Sequence, residues 1–263
     1  MKKLMKAVAA LMLMTAVACV AGCNKPDEPN NGGDNNGGNG NGGGNNGGSI
    51  NGPEYVDLGL PSGTLWATCN VGATAPEDYG DYFAWGETQP KDYYDWNTYQ
   101  YCNGTFGVVE SDDEYEVPRL TKYCNNSYYG YSGFTDDLTN LLPEDDAATA
   151  NWGSGWRMPT SEQWQELDQN TTHTWTTQNG VKGRLFTATN GNRLFLPAAG
   201  CRWGGELDYI GDIGYYWSQS LDTDYRYRPS NAWGFYFDSP NGREVDDYYS
   251  RFYGFSVRPV REN

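Results

Sequence analysis

The sequence predicts an α+β domain built from short antiparallel strands and two short helices. Two Asn-Gly pairs, Asn179-Gly180 and Asn190-Gly191, separate three strand-like runs, and Asn-Gly is a strong hairpin signal. The spacing of Thr160 and Gln163 is that of a capping box, which predicts the start of a helix. Short runs rich in aromatic and β-branched residues recur between turn residues, as in antiparallel sheets.

The first 22 residues are predicted to be a lipoprotein signal peptide. Three lysines precede an apolar run from Ala7 to Val20, which is too short to remain in a bilayer as a spanning helix. The motif Val20-Ala21-Gly22-Cys23 matches a lipobox, in which small residues admit the signal peptidase and the cysteine thiol carries the lipid. The prediction is lipidation of Cys23, and the alternative is an ordinary secretory signal.

Residues 23–52 are predicted to form a flexible tether, and residues 53–263 a single domain. Asn30 to Ser49 consists almost entirely of Asn and Gly, and such a stretch cannot bury enough apolar area to fold. The formal net charge of the whole chain is −16 at pH 7. Because phosphate binding needs cations, nucleic acid is excluded as a partner, whereas cations, sugars and basic protein surfaces remain.

The domain is predicted to begin with short strands. Tyr55–Leu60 and Thr64–Val71 are strand patterns separated by the turn Pro61-Ser62-Gly63, and Tyr82–Trp85 continues in the same style. Residues 87–135 are polar, rich in tyrosine and without periodicity. We therefore expect an irregular excursion there, which is either functional or tied by a disulfide.

Four cysteines lie in the domain, and they allow three pairings. An exported compartment permits disulfides. We favour a Cys102–Cys124 disulfide, which would close the excursion, and we expect Cys69 and Cys201 to be buried free thiols.

Two helices are predicted in the middle of the domain. Pro143 marks the start of a short one, because proline is favoured in the first turn. Thr160 and Gln163 cap the second, on which Trp164 and Leu167 share one face. Trp156 and Met158 precede the cap and are expected to pack back onto that face.

The rest of the domain is predicted to be strands. A meander of three strands spans Thr174–Gln178, Val181–Thr189 and Asn192–Leu196, with a type I′ turn at each Asn-Gly pair. Three further strands are expected at Tyr215–Ser220, Ala232–Asp238 and Phe255–Val260.

Five motifs in one order resemble a known family. They are Val56–Ala67, Trp156-Arg-Met-Pro-Thr-Ser-Glu-Gln-Trp164, Phe195–Gly200, Gly214–Ser220 and Gly254–Val260. Together they resemble the Fibrobacter succinogenes major paralogous domain, as found in surface lipoproteins of Bacteroidetes, over about residues 55–263. Related signatures occur in formylglycine-generating enzymes. The resemblance implies a C-type-lectin-like fold whose terminal strands pair, which would place Val56 beside Phe255–Val260; it implies no single activity.

The expected location is the outer membrane, with the domain exposed at the cell surface. The lipid on Cys23 would attach the protein to the membrane. Asp27 and Glu28 follow this cysteine closely, and they resemble the acidic export signals of Bacteroidetes surface lipoproteins.

No catalytic motif stands out, so the sequence predicts a protein that is not an enzyme. His173, the one histidine, lies beside a predicted hairpin tip and has no nucleophile placed near it by a motif. The stretch Asp246–Gly254 lacks the cysteines that formylglycine-generating enzymes use there. No cofactor or metal site is predicted; the acidic pairs at Asp136, Asp145 and Asp222 could hold Ca²⁺ through oxygen ligands.

Three loops, 202–212, 222–228 and 244–253, are predicted to form a ligand-binding surface. They are rich in Tyr, Trp, Asp and Arg, which suit binding loops, and aromatic faces also stack on sugar rings. The candidate ligand-binding residues are Trp203, Glu206, Asp208, Tyr209, Asp222, Asp224, Tyr225, Tyr227, Asp247, Tyr248, Tyr249, Arg251 and Tyr253.

The function predicted from these features is a lipid-anchored surface module that binds a glycan or a protein. One alternative is a structural or assembly component of the envelope or fimbriae, in which the aromatic loops are subunit contacts. Another is a hydrolase that uses an acid pair. A surface that merely covers the sheet remains the simplest interpretation of the loops.

Overall fold

Small antiparallel sheets and two short helices make up the part of the chain that the computed structural model describes, which is residues 53–109, 115–223, 229–238 and 245–263. The strands are β1 Tyr55–Asp57, β2 Leu65–Ala67, β3 Tyr82–Phe83, β4 Cys102–Val109, β5 Tyr115–Leu120, β6 Thr171–Gln178, β7 Val181–Ala188, β8 Arg193–Pro197, β9 Cys201–Trp203, β10 Glu206–Asp208, β11 Ile213–Leu221, β12 Asn231–Asp238, β13 Val245–Ser250, β14 Phe255–Ser256 and β15 Val260–Arg261. The helices are α1 Ala147–Trp152 and α2 Ser161–Asn170, and 3-10 turns occupy Tyr131–Gly133 and Pro143–Asp145. The predicted α+β class is confirmed at this level.

Helix α2 is anchored as the sequence predicts. The Thr160 hydroxyl accepts the backbone N–H of Gln163, and the Gln163 side chain accepts the backbone N–H of Thr160. Trp164 is fully buried, and its ring centroid lies 4.7 Å from those of both Trp66 and Phe235. The capping box therefore fixes the start of a helix whose apolar face fills the core.

Helix α1 begins later than the proline suggests. Pro143 opens a 3-10 turn, and α1 starts at Ala147 with Asp146 as its N-cap. The Asp146 carboxylate accepts the backbone N–H groups of Ala148, Thr149 and Met158. One aspartate thus joins the first turn of α1 to the segment that enters α2.

The predicted meander forms the sheet β6-β7-β8, but its two turns differ. Asn179 and Gly180 have φ of 47° and 89°, as a type I′ turn requires. At the second pair only Gly191 has a positive φ, 87°, and the Ala188 N–H donates to the Asn192 carbonyl at 2.9 Å. The type I′ prediction is wrong there, because β7 ends one residue early and the loop gains a third residue.

The sheet β1-β2-β15 corrects the expected position of Val56. Val56 pairs with Trp66 of β2, and Trp66 in turn pairs with Val260 of β15. Strand β2, which is buried along its whole length, therefore separates β1 from the C-terminal strand. The predicted strand Phe255–Val260 is also divided into β14 and β15, since Pro259 has no N–H to continue a ladder.

The largest sheet has the strand order β13-β12-β11-β14-β3 and separates two cores. On one face Tyr216 and Phe235 pack in the same core as Trp164 of α2. On the other face Trp217 stacks on Phe255 with 4.2 Å between ring centroids.

The region 87–135 is not an irregular excursion, as the sequence suggests, because it contributes to the second core. Strands β4 and β5 pair as a hairpin. Around them Tyr94, Tyr99, Tyr101 and Tyr123 are buried. Their hydroxyls all donate hydrogen bonds inside the protein, so rings in a polar sequence can still be buried.

Cys102, Cys124 and Cys201 are free thiols, so the predicted Cys102–Cys124 disulfide is not formed in this structure. The Cys124 thiol instead donates to the Asn126 carbonyl at 3.2 Å. Cys201 is buried, as expected, and burial raises the pKa of its thiol to about 12. Cys69 is only half-buried.

Within the described residues, no helix has the length and apolar character needed to cross a bilayer.

Candidate functional site

The hairpin of β9 and β10 lies at the centre of the predicted binding surface. Trp203 pairs with Glu206 across a turn that consists of Gly204 and Gly205. Gly204 and Tyr94 exchange two backbone hydrogen bonds, each 2.8 Å long. Arg202 and Gly254 exchange two more, at 2.8 and 3.0 Å. The hairpin is therefore held by backbone contacts to two distant segments.

The register of this hairpin places its side chains on defined faces. Trp203, Glu206 and Asp208 share one face, because paired residues and alternate residues point the same way. Leu207 lies on the other face and packs against the core. The Arg202 guanidinium, also on that face, lies 5.3 Å from the centre of the Tyr82 ring.

Three large rings are exposed at this hairpin. Trp203 and Tyr209 are each 57% exposed, and Tyr93 is 53% exposed. A Cβ built on Gly204 or Gly205 would lie 3.7 Å from the Tyr93 ring, so this ring lies against the hairpin turn. We use the name hairpin face for five residues at or beside this hairpin, Tyr93, Trp203, Glu206, Asp208 and Tyr209.

Tyr93 is absent from the sequence prediction, and the sequence carries no signal that distinguishes it from Tyr94. Both lie in the same tyrosine-rich stretch, and only the bridge between Tyr94 and Gly204 decides which ring faces the hairpin turn.

A row of rings connects the hairpin face with the core. Tyr209 lies 6.4 Å from Tyr215, and Tyr215 lies 5.5 Å from Tyr249 in an edge contact. Tyr249 and Tyr253 both contact Phe255, which is buried. The structure thus brings three predicted residues, Tyr209, Tyr249 and Tyr253, together around Tyr215, which the sequence assigned only to a strand.

Two tyrosines of this row, Tyr215 and Tyr253, are neutral at physiological pH. Burial raises the pKa of both Tyr215 and Tyr253 above the usual value for a phenol. The acidic side chains of the hairpin face are Glu206, which is exposed, and Asp208, which is half-exposed.

The chain matches no protein-family model, no curated protein and no solved structure.

Arg251 is not a surface residue, contrary to the prediction. It is fully buried, and its guanidinium lies 5.4 Å from the ring centres of both Trp85 and Tyr99. It donates to the carbonyls of Lys122 and Tyr123. The prediction is wrong because the chain turns inward after β13, where the Arg251 backbone bonds to Trp85 and Ser230.

Asp222 is also buried, with 2% of its surface exposed, so it does not present its carboxylate to a ligand. Its backbone N–H donates to the Asn231 carbonyl at 3.3 Å, because the residue continues the line of β11 beside β12.

Tyr248 and Tyr249 lie on opposite faces of β13 because they are adjacent in a strand. Tyr249 belongs to the row of rings, whereas Tyr248 meets Trp233 in an edge contact at 6.3 Å. Asp247 of β13 pairs with Gly234 of β12. The predicted residues that lie outside the described part of the chain are Cys23, Asp224, Tyr225, Tyr227 and the side chain of Asp247.

Two of the acidic pairs considered for calcium have internal partners. Asp136 accepts the backbone N–H groups of Tyr123 and Cys124 at 2.7 and 3.0 Å. Asp145 accepts the hydroxyls of Tyr101 and Tyr123 and is paired with Lys122. In the described ranges, no three His, Cys, Asp or Glu side chains are grouped as metal ligands.

His173 lies within β6, opposite Phe186, and not at the hairpin tip. It is exposed, and its Nε2 atom lies 3.9 Å from Asp168 Oδ1. Partial desolvation of the imidazole ring and the nearby Arg184 guanidinium lower the pKa of His173, although the Asp168 carboxylate raises it.

Proposed function

We propose that this protein is a non-catalytic binding module that presents the hairpin face to a glycan or protein ligand. The observation that carries the proposal is the exposure of Trp203 and Tyr209, each 57% exposed, beside a hairpin held by four backbone hydrogen bonds. A rigid aromatic surface loses little conformational entropy on binding, so more of the contact energy remains as affinity.

The proposed location follows from the N-terminal sequence. The lipobox ending at Cys23 would anchor the protein in the outer membrane, and the Asn/Gly-rich tether would hold the domain away from the lipid. Replacement of Cys23 by Ser should abolish incorporation of labelled palmitate and release the protein from the membrane fraction. Labelled protein in that variant would contradict the anchor.

The proposed fold is C-type-lectin-like, and the proposed family is the Fibrobacter succinogenes major paralogous domain. The order of the five sequence motifs supports this, as does the pairing of β2 with β15, which brings the two ends of the domain together. The motif residues Trp156, Trp164 and Trp217 are all buried. The resemblance therefore concerns the framework and does not identify a ligand.

The binding proposal is tested with the double variant Trp203→Ala/Tyr209→Ala of the detergent-solubilised chain, on arrays of glycans and of surface proteins. Binding of the ligand should fall by about tenfold or more, since each aromatic contact contributes on the order of 1 kcal/mol. Ile210→Ala is the matched control, because Ile210 is exposed beside Tyr209 but has no ring.

Two outcomes would count against the proposal. One is that neither array gives a hit with the unaltered chain. The other is a hit whose strength does not change in the double variant.

A structural role in an envelope polymer is the second candidate, and one observation favours it. Among the strands that the structure describes, β13 lies at the outer edge of the five-stranded sheet, and an edge strand can pair with a strand from another subunit. Recovery of the protein within a surface polymer would support this role, whereas a monodisperse monomer from solubilised membranes would oppose it.

A further inference from the structure

A second aromatic surface lies in the loop from Cys124 to Asp136. Its ends are joined at the neck, where the Asp136 N–H donates to the Cys124 carbonyl at 2.8 Å. The Asp136 carboxylate also accepts the N–H groups of Tyr123 and Cys124. A compact surface loop with adjoining ends is an Ω-loop, a type that is frequently functional. We refer to residues 124–136 as the aromatic loop.

Internal contacts constrain the backbone of the aromatic loop. The Leu120 N–H donates to the Tyr129 carbonyl at 2.7 Å, which ties the middle of the loop to β5. A Cβ on Gly130 would lie 1.8 Å from the Phe134 carbonyl oxygen, so the chain crosses itself closely there. Ser132 has a φ of 52°, a left-handed conformation that non-glycine residues adopt only when their surroundings enforce it.

Three rings of this loop are exposed, namely Tyr128, Tyr131 and Phe134, with Tyr131 the most exposed at 46%. The Arg119 guanidinium lies 5.0 Å from the centre of the Tyr128 ring, and the Tyr129 ring meets Tyr128 edge-on at 5.4 Å. Tyr128 is therefore held in place, while Tyr131 and Phe134 present apolar surface to solvent.

Between its neck residues the loop is uncharged, in a strongly acidic chain. From Asn125 to Thr135 it contains no Asp, Glu, Lys or Arg, although the whole chain has 34 acidic and 18 basic residues. Its other exposed side chains are the amides and hydroxyls of Asn125, Asn126, Ser127, Ser132 and Thr135. The nearest lysine, Lys122, is already paired with Asp145.

We propose that the aromatic loop is a second binding site, separate from the hairpin face, and that its ligand is a neutral glycan. Sugar rings have apolar C–H faces that stack on aromatic rings, here Tyr131 and Phe134. Their hydroxyl groups pair with neutral donors and acceptors, here Asn125, Ser127 and Ser132. Protein partners are usually aligned by charged groups, and residues 125–135 contain none.

The test uses the detergent-solubilised full chain and four probes, which are cellohexaose, xylohexaose, mannohexaose and hexagalacturonate. Binding is measured by saturation-transfer NMR and by calorimetry. The variant is Tyr131→Ala/Phe134→Ala, and Tyr131→Phe is the conservative control that keeps the ring. Trp203→Ala/Tyr209→Ala is the control for the hairpin face, and a thermal melt of each variant checks folding.

We expect at least one neutral hexasaccharide to bind the unaltered chain and to lose affinity by about tenfold or more in Tyr131→Ala/Phe134→Ala. Tyr131→Phe and the hairpin-face variant should bind it as the unaltered chain does. A loss confined to the hairpin-face variant would assign the sugar to that face and overturn the second site while supporting the proposed function.

Three other results would overturn the proposal. They are no binding of any neutral hexasaccharide, stronger binding of hexagalacturonate, and equal binding by Tyr131→Ala/Phe134→Ala. None of these results alters the separate prediction for Trp203 and Tyr209.

Discussion

Tyrosines have opposite roles in two regions of this protein. In the core they are buried, as Tyr82, Tyr94, Tyr99, Tyr101 and Tyr123 are, and at the hairpin face Tyr93 and Tyr209 lie on the surface. Tyr93 and Tyr94 are adjacent in the sequence, yet Tyr94 is fully buried and Tyr93 is 53% exposed. The comparison separates two uses of one side chain, because a buried tyrosine needs a partner for its hydroxyl whereas an exposed one offers its ring.

The hydroxyl groups of the core tyrosines make this difference visible. Tyr94 donates to the Tyr82 carbonyl at 2.6 Å, and Tyr99 donates to the Trp85 carbonyl at 2.7 Å. On another strand Tyr216 donates to the Pro197 carbonyl at 2.8 Å. Each bond satisfies a backbone carbonyl that is buried with it, so removal of the hydroxyl should matter in the core and not at the hairpin face.

The largest expected effect is that of Arg251→Ala, since Arg251 lies beneath the core tyrosines. The substitution should lower the free energy of unfolding by about 3–5 kcal/mol, because it opens a cavity beside Trp85 and Tyr99 and leaves the Tyr123 carbonyl without its donor. Urea denaturation measures the change. Arg202→Ala, which removes a half-buried guanidinium from the Tyr82 ring, should have a clearly smaller effect.

If Arg251→Ala lost ligand binding while its stability stayed unchanged, the result would support the sequence prediction that Arg251 contacts the ligand. Arg251 would then not be a core residue, and the distinction between the buried and the exposed region would not hold for it.

The second prediction compares two neighbours directly. Tyr94→Phe should lower the free energy of unfolding by about 1–2 kcal/mol, because the buried Tyr82 carbonyl and the Lys91 N–H both lose a partner. Tyr93→Phe should change it by less than about 0.5 kcal/mol, since its ring is exposed. Thermal melts of the two single variants measure these changes. Equal changes in stability would contradict the distinction between a buried Tyr94 hydroxyl and an exposed Tyr93 ring.

The third prediction concerns the acid side of stability. Burial alone would raise the pKa of Asp145, but hydrogen bonds from Lys122, Tyr101 and Tyr123 together lower it below the usual value of 3.8. A carboxyl group whose pKa is lower in the folded state stabilises the protein above its unfolded pKa, and this contribution is lost as the pH falls towards the folded pKa. The melting temperature should therefore decrease as the pH is lowered below about 4.

Asp145→Asn should make that fall in melting temperature shallower. The neighbouring Asp146 provides the control, because burial raises the pKa of its carboxyl group. The contribution of Asp146 to stability therefore changes with pH in the opposite direction, and stability is gained as the pH falls through the raised pKa. Asp146→Asn removes this gain, so the melting temperature of that variant should decrease more steeply at low pH. A pH series of melts for both variants checks this, and an unchanged slope in Asp145→Asn would contradict the assignment.

The sequence predicts the features that local signals determine. The capping box at Thr160 and Gln163, the burial of Trp164 and Leu167, and the type I′ turn at Asn179 are confirmed. In each case a few adjacent residues specify the geometry through backbone hydrogen bonds or through φ.

Features that depend on distant partners could not be predicted in this way. Val56 pairs with β2, which lies between β1 and the C-terminal strand β15. The order of strands in a sheet has no signature in the local sequence. Tyr94 and Tyr99 can be buried because the carbonyls of Tyr82 and Trp85, earlier in the chain, accept their hydroxyls. At the candidate site the exposure of Trp203 and Tyr209 agrees with the prediction, whereas Arg251 is buried because the chain turns inward after β13.

The smallest expected effect on stability is that of Trp203→Ala, although it removes the largest side chain at the hairpin face. The change in the free energy of unfolding should be within about 0.5 kcal/mol, because the ring is mostly exposed and the hairpin is held by backbone bonds of its neighbours. Trp233→Ala, on the half-buried face of β12, is the matched control and should cost more. If Trp203→Ala instead destabilises the protein by more than about 1 kcal/mol, its indole packs as part of the fold, and the hairpin face belongs with the core and not with the ligand.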